Sequence, residues 1–130
     1  MALPEIHCRV ALSVIFFSFA LGVWGLVAFL RGLGISNNYR GAVVIGEILV
    51  IAQALLGVLL VVTGHWPMDT LHILYGIVVV LMWIMTYIYT KGAMTRREML
   101  IYAVVAFFIS GLAIRSIMTG SQVPVCLASF

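Results

Sequence analysis

A chain of 130 residues that is 65% hydrophobic and 8% charged, with a mean hydropathy of +1.24, has too little polar surface for an ordinary water-soluble domain. Its formal net charge of +3 and pI near 9.2 are read as a record of membrane orientation rather than of affinity for nucleic acid. Among its motifs there is no C-x-x-C, C-x-x-C-H, Walker loop, zinc-protease or serine-triad signature, so no catalytic residue is assigned and a single polytopic membrane domain over 1–130 is expected.

Four apolar stretches fill the chain: Val10 to Leu30, Gly41 to Gly64, Leu71 to Thr90 and Met99 to Met118. A helix needs about 20 mostly apolar residues to cross the hydrocarbon core, where every backbone amide must be satisfied within the segment. The preceding MALPEIHCRV lacks a basic n-region and a cleavage site, which predicts that the first span is retained. The loops RGLGISNNYR, HWPMDT and KGAMTRREML are short, so the helices are expected to run up, down, up, down in an antiparallel all-α bundle. Asp69-Thr70 supplies capping chemistry for the third helix, and Thr95 followed by Glu98 has the spacing of a capping box for the fourth. The tail SQVPVCLASF, with Pro124 and no helical period, is expected along the outer surface.

Lys and Arg in short loops stay on the cytoplasmic side. Arg31, Arg40, Lys91, Arg96 and Arg97 fall on one face, and only Arg9 and Arg115 on the other, which predicts both termini outside a bacterial inner membrane. Tyr87 and Tyr89, with Trp66 and Tyr75, fit the two interfacial aromatic belts. Small residues recur at helical spacing on the first helix (Ala11, Ser18, Gly22, Gly25), the second (Gly46, Gly57, Gly64, with Gln53) and the fourth (Ala103, Ala106, Ser110, Ala113). Such stripes let membrane helices approach closely. The third helix instead carries bulk around Trp83, which suits lipid or a large apolar ligand.

Polar groups inside spans are costly, about 2.5–3.5 kcal/mol for a central charge, and each is a candidate functional residue. Glu47 can carry protons, close a salt bridge with Arg40 or Arg97, or fix packing as a neutral acid. Gln53 suits an interhelical hydrogen bond. Arg115 can snorkel to headgroups or hold an anionic cofactor substituent. His72, opening the third helix, can ligate haem b or a chlorin, donate to a quinone, or simply hydrogen-bond a neighbouring helix, with Gly76 one turn deeper leaving room for a flat ring. A bis-histidine haem needs a second axial ligand, and His7, just before the first span, or His65, in the second loop, could reach from the same outer face, though nothing compels it. For Cys8 and Cys126, on one predicted face, free thiols are the first reading, a disulfide the second, and a metal set with His7 and His65 the third; no metal-ligand spacing supports the last.

The segments GEILVIAQALLG, HILYG and GLAIRSIMTG together resemble a set of small uncharacterised four-helix membrane proteins of green phototrophic bacteria and their relatives. That resemblance, over about two-thirds of the chain, implies membrane electron-transfer surroundings and supplies no catalytic residue. The ascorbate-reducible cytochrome b group shares a four-helix core, but its pattern needs histidines paired on two helices, which this sequence does not display. The leading expectation is a non-enzymatic accessory subunit of a photosynthetic or respiratory electron-transfer complex, surrounded by lipid and by other membrane subunits, that scaffolds helices and bound lipid, quinone or pigment. The alternatives are a haem, chlorin or quinone binder using His72, and a small proton-linked transporter or channel using Glu47.

Overall fold

A computed structural model describes residues 2–120, and these form four helices: α1 (Leu3–Leu30), α2 (Asn37–Val62), α3 (Leu71–Thr90) and α4 (Arg96–Thr119). At 1.5 Å per residue they are about 42, 39, 30 and 36 Å long, so each can cross a hydrocarbon core of about 30 Å. Each also carries an apolar window fit for a span. Much of every helix faces outward and is apolar, as at Phe16, Ile48, Ile77 and Val104. Apolar surface on that scale belongs against lipid rather than water. The chain is an all-helical, multi-pass membrane bundle.

Local chemistry sets the ends. Pro4 sits in the first turn of α1, where its missing N–H costs nothing. That turn begins at Leu3 rather than Val10, because the polar residues Glu5, His7 and Arg9 can still be helical at an interface. Glu5 and Arg9, four apart, pair at 3.3 Å, the one ion pair among the described residues. The helix closes on Gly32, at φ 76°, while the Leu33 and Gly32 amides donate to the Ala28 and Phe29 carbonyls. A left-handed residue at that position lets both amides turn back on the last turn. Gly64, at φ 91°, ends α2 in the same way.

The first loop is shorter than the sequence suggests. Ser36 accepts a hydrogen bond from the Tyr39 amide at 3.1 Å and starts α2 at Asn37, four residues before the expected Gly41. Asp69 Oδ1 accepts from the Leu71 amide at 3.0 Å at the start of α3. At the start of α4, the Thr95 amide and hydroxyl both donate to the Glu98 carboxylate in a capping box, as the spacing predicts.

The helices form a ring in which α1 packs on α2 and α4, and α3 packs on α2 and α4, while the backbones of the diagonal pairs stay apart. The seams are unequal. Between α1 and α4 the backbones are close: a Cβ on Gly25 would stand 3.0 Å from the Ala103 Cβ, and Ser110 donates across to the Ile15 carbonyl at 3.0 Å. Ala103, Ala106, Ser110 and Ala113 are all buried, as the small-residue stripe of α4 predicts, and Ser18, Gly22 and Gly25 are buried opposite them. Tyr39, fully buried, reaches from α2 to donate to the Leu21 carbonyl at 3.0 Å. The α2–α3 seam is the loosest of the four.

Each end of the bundle is tied between loops. At the basic end, which holds Arg31, Arg40, Lys91, Arg96 and Arg97, the Ile35 amide donates to the Met94 carbonyl at 2.9 Å. Arg96 donates from Nε to the Phe29 carbonyl at 2.8 Å with its guanidinium 4.0 Å over the Phe29 ring, capping the C-terminus of α1. At the opposite, terminal end, the Asp69 amide donates to the Thr119 carbonyl at 3.1 Å.

Candidate functional site

The open α2–α3 seam forms a cleft of about 280 Å³ in the half of the bundle nearer the basic end. Its walls are apolar and aromatic, with Val43, Tyr39, Tyr87 and Tyr102 among them. Two groups break that apolar character. Trp83, from α3, is 3% exposed, and its indole Nε1 has no hydrogen-bond partner among the described residues. Glu47, from α2, presents two buried carboxyl oxygens that also lack partners. Polar atoms buried without partners cost about 1–3 kcal/mol each, which sets this donor and this acceptor apart from the rest of the cleft lining.

The geometry follows from the sequence. Gly46 leaves α2 without a side chain where the indole edge approaches: a Cβ there would stand 3.5 Å from Trp83 Nε1. Trp83 is held from its other side by the Tyr102 ring, stacked at 5.9 Å with planes 16° apart. The mouth of the cleft is bounded by Arg40, whose guanidinium donates to the Tyr87 hydroxyl at 3.3 Å, contacts the Met94 sulfur at 3.6 Å and lies 5.5 Å from the Tyr87 ring centre. Arg40 is therefore engaged with α3 and the α3–α4 loop. The expected salt bridge from Glu47 to Arg40 or Arg97 does not form. The reason is positional: Arg40 and Glu47 are seven residues apart on α2, about 10 Å along the axis, and Arg40 turns toward the loop.

A second polar cluster lies at the terminal end. His7 of α1 and His72 of α3 approach across the diagonal, with ring centres 6.2 Å apart and planes at 66°. Of the two histidines that the sequence leaves able to reach His72, His7 is the one that does, because α1 begins at Leu3 and carries His7 within its second turn. His72 Nδ1 lies 2.7 Å from the Ser116 carbonyl, an acceptor, which makes Nδ1 the protonated nitrogen. His7 Nε2 lies 3.5 Å from the Gln53 amide, while His7 Nδ1 and Gln53 Oε1 are buried without partners among the described residues. The helices come close here through glycine: a Cβ on Gly57 would stand 3.4 Å from the His7 ring, and one on Gly120 3.3 Å from the His72 ring.

The remaining candidates lie apart. Gly76 faces open space, with nothing within 4 Å of a Cβ placed there. Arg115 is exposed and borders a shallow depression with Met68, Asp69 and Thr70, of which His72 is not a wall. His65 is exposed and bonds to the Thr63 hydroxyl at 3.2 Å beside the end of α2. Cys8 is buried in α1, and Cys126 lies outside the described residues. No group of three or more His, Cys, Asp or Glu suited to a metal occurs among the described residues. The sequence reading missed Trp83 as a donor and Tyr39 as a core anchor; the only signal for either was a polar-tipped aromatic within or beside a span. No protein family, curated protein or solved structure matches this chain.

Proposed function

We propose that the chain is a non-enzymatic subunit of a membrane electron-transfer assembly that takes the ring of a lipid-soluble quinone into the α2–α3 cleft. The observation that carries this reading is the pairing of Trp83 Nε1 and the Glu47 carboxyl, an unpartnered donor and an unpartnered acceptor in one aromatic-walled cleft. A quinone carbonyl accepts from the indole, and a quinol hydroxyl donates to the carboxyl. A ring with oxygens on opposite edges can satisfy both groups at once, whereas an acyl chain satisfies neither. The volume agrees with a substituted single ring: about 280 Å³ falls just under the ligand-pocket range, which starts near 300 Å³, and is small for a haem or chlorin macrocycle.

The positive-inside rule supports an orientation with the basic end, and with it the cleft, in the cytoplasmic half of a bacterial plasma membrane and both termini outside. Glu47 then meets a quinone on the side from which protons enter during its reduction. A transport path finds less support, since the cleft walls do not include Gln53 or any residue of the terminal-end cluster.

The test is direct. Protein purified in mild detergent from its native membrane is expected to co-migrate with redox partners and to yield quinone on solvent extraction. Adding a short-chain benzoquinone to stripped protein is expected to quench Trp83 emission saturably, and Trp83→Phe removes that component. Quenching that rises without saturation and is unchanged in Trp83→Phe and Glu47→Gln would remove the basis of the assignment.

A further inference from the structure

The terminal-end cluster has a chemistry independent of the cleft. A histidine that binds a metal through one ring nitrogen commonly donates its other N–H to a carbonyl or carboxylate, which fixes tautomer and ring orientation. His72 is arranged in this way, with Nδ1 tied to the Ser116 carbonyl at 2.7 Å and Nε2 left with its lone pair. His7 reaches the same state once the Gln53 amide is turned by 180°, a change that exchanges two atoms of similar size. Gln53 Oε1 then accepts from His7 Nε2–H, and the lone pair moves to His7 Nδ1, the buried atom that has no partner. One turn of one amide thus gives the Gln53 oxygen a donor, puts the amide NH2 in the unpartnered position instead, and leaves each imidazole with one nitrogen available.

The spacing decides what two such nitrogens can hold. With metal–nitrogen bonds of about 2.0 Å and each ring centre about 1.1 Å behind its nitrogen, two imidazoles on one ion have centres about 5 Å apart at a tetrahedral angle and about 6.2 Å apart when collinear. The observed 6.2 Å between ring centres equals the collinear value, the separation required when His7 Nδ1 and His72 Nε2 turn toward each other. A collinear pair of nitrogens suits a d¹⁰ monovalent ion, and imidazole is a ligand that copper accepts well. Gly57 lies against the His7 ring and Gly120, just after α4, against the His72 ring, so neither position puts a side chain beside the two imidazoles.

We infer that His7 and His72 form a two-coordinate site for monovalent copper at the terminal end of the bundle, with Gln53 and the Ser116 carbonyl orienting the two rings. The ion adds to two existing lone pairs, so no redox or proton-transfer step accompanies binding.

Anaerobic titration of the detergent-purified protein with Cu(I), against a chromogenic Cu(I) chelator, tests it. One equivalent is expected to bind, and X-ray absorption of the loaded wild type is expected to show two nitrogen neighbours. His7→Ala and His72→Ala should each weaken binding by at least about 100-fold, Gln53→Leu by about 10-fold, and His65→Ala not at all. Absence of binding would overturn the site. So would affinity that survives His7→Ala and His72→Ala, a sulfur-dominated spectrum pointing to methionine or cysteine, three or more ligands, or a Soret band showing haem iron instead. Because the spectrum is recorded on wild-type protein, it decides the matter even if a histidine variant fails to fold.

Discussion

Replacing Glu47 by leucine separates binding from folding. Both carboxyl oxygens are buried and lack partners among the described residues, so in the ligand-free bundle the carboxyl contributes desolvation cost without a compensating bond. Leucine has similar bulk and no polar atom, and the position lies in the wall of an apolar cleft. Removing one unsatisfied buried polar group recovers about 1–3 kcal/mol, which is a shift of about 5- to 150-fold in the unfolding equilibrium. Glu47→Leu is therefore expected to stabilise the protein while abolishing saturable quinone quenching. Unfolding in mixed micelles with rising SDS, followed by tryptophan emission, measures the first effect and the quinone titration the second. If Glu47→Leu destabilises the bundle by more than about 1 kcal/mol, the carboxyl is a structural partner and the reasoning that makes it a waiting acceptor is refuted.

Gly25→Ala places a Cβ 2.8 Å from the Tyr39 hydroxyl and 3.0 Å from the Ala103 Cβ, and a loss of about 1–3 kcal/mol is expected in the same assay. Gly76→Ala, with nothing within 4 Å, is the neutral comparison. Tyr39→Phe alone should cost about 1 kcal/mol through the lost bond to the Leu21 carbonyl, yet it should lessen the penalty of Gly25→Ala, a coupling that a double-mutant cycle reads. Arg96→Met removes the bond to the Phe29 carbonyl and the stacked cation, for an expected loss of about 1 kcal/mol; an unchanged SDS midpoint would show that the contact carries no stability. For orientation, an impermeant maleimide applied to whole cells should label Met68→Cys and leave Asn38→Cys unlabelled in a background lacking Cys8 and Cys126, and the reverse pattern inverts every side-specific role.

The four spans were legible because lipid imposes a length and a composition that hydropathy reads directly. The capping box at Thr95 and Glu98 was legible because its partners are three residues apart. What the sequence concealed lies in contacts made at long separation. His7 and His72 are 65 residues apart on diagonal helices, and only the ring arrangement of the bundle brings them to 6.2 Å. Tyr39 stands in a polar stretch that reads as loop, yet its ring fills the core because Ser36 starts the helix early. Glu47 and Arg40 share a helix and opposite charge, and the sequence offers no sign that Tyr87 and Met94 claim the arginine instead.

The inequality of the seams gives the bundle the construction of a bound book. The α1–α4 contact is its spine, sewn by small residues and a cross-helix hydrogen bond, and the α2–α3 side is the fore-edge, where the pages part. Local opening follows the weakest packing, so amides of α2 and α3 facing the cleft should exchange before those of the spine. A neighbouring transmembrane helix inserted at the fore-edge would close the book over whatever lies inside, which makes subunit docking and ligand exit competitors for one edge. A ligand using that edge would move sideways, within the plane of the lipid, rather than along the bundle axis.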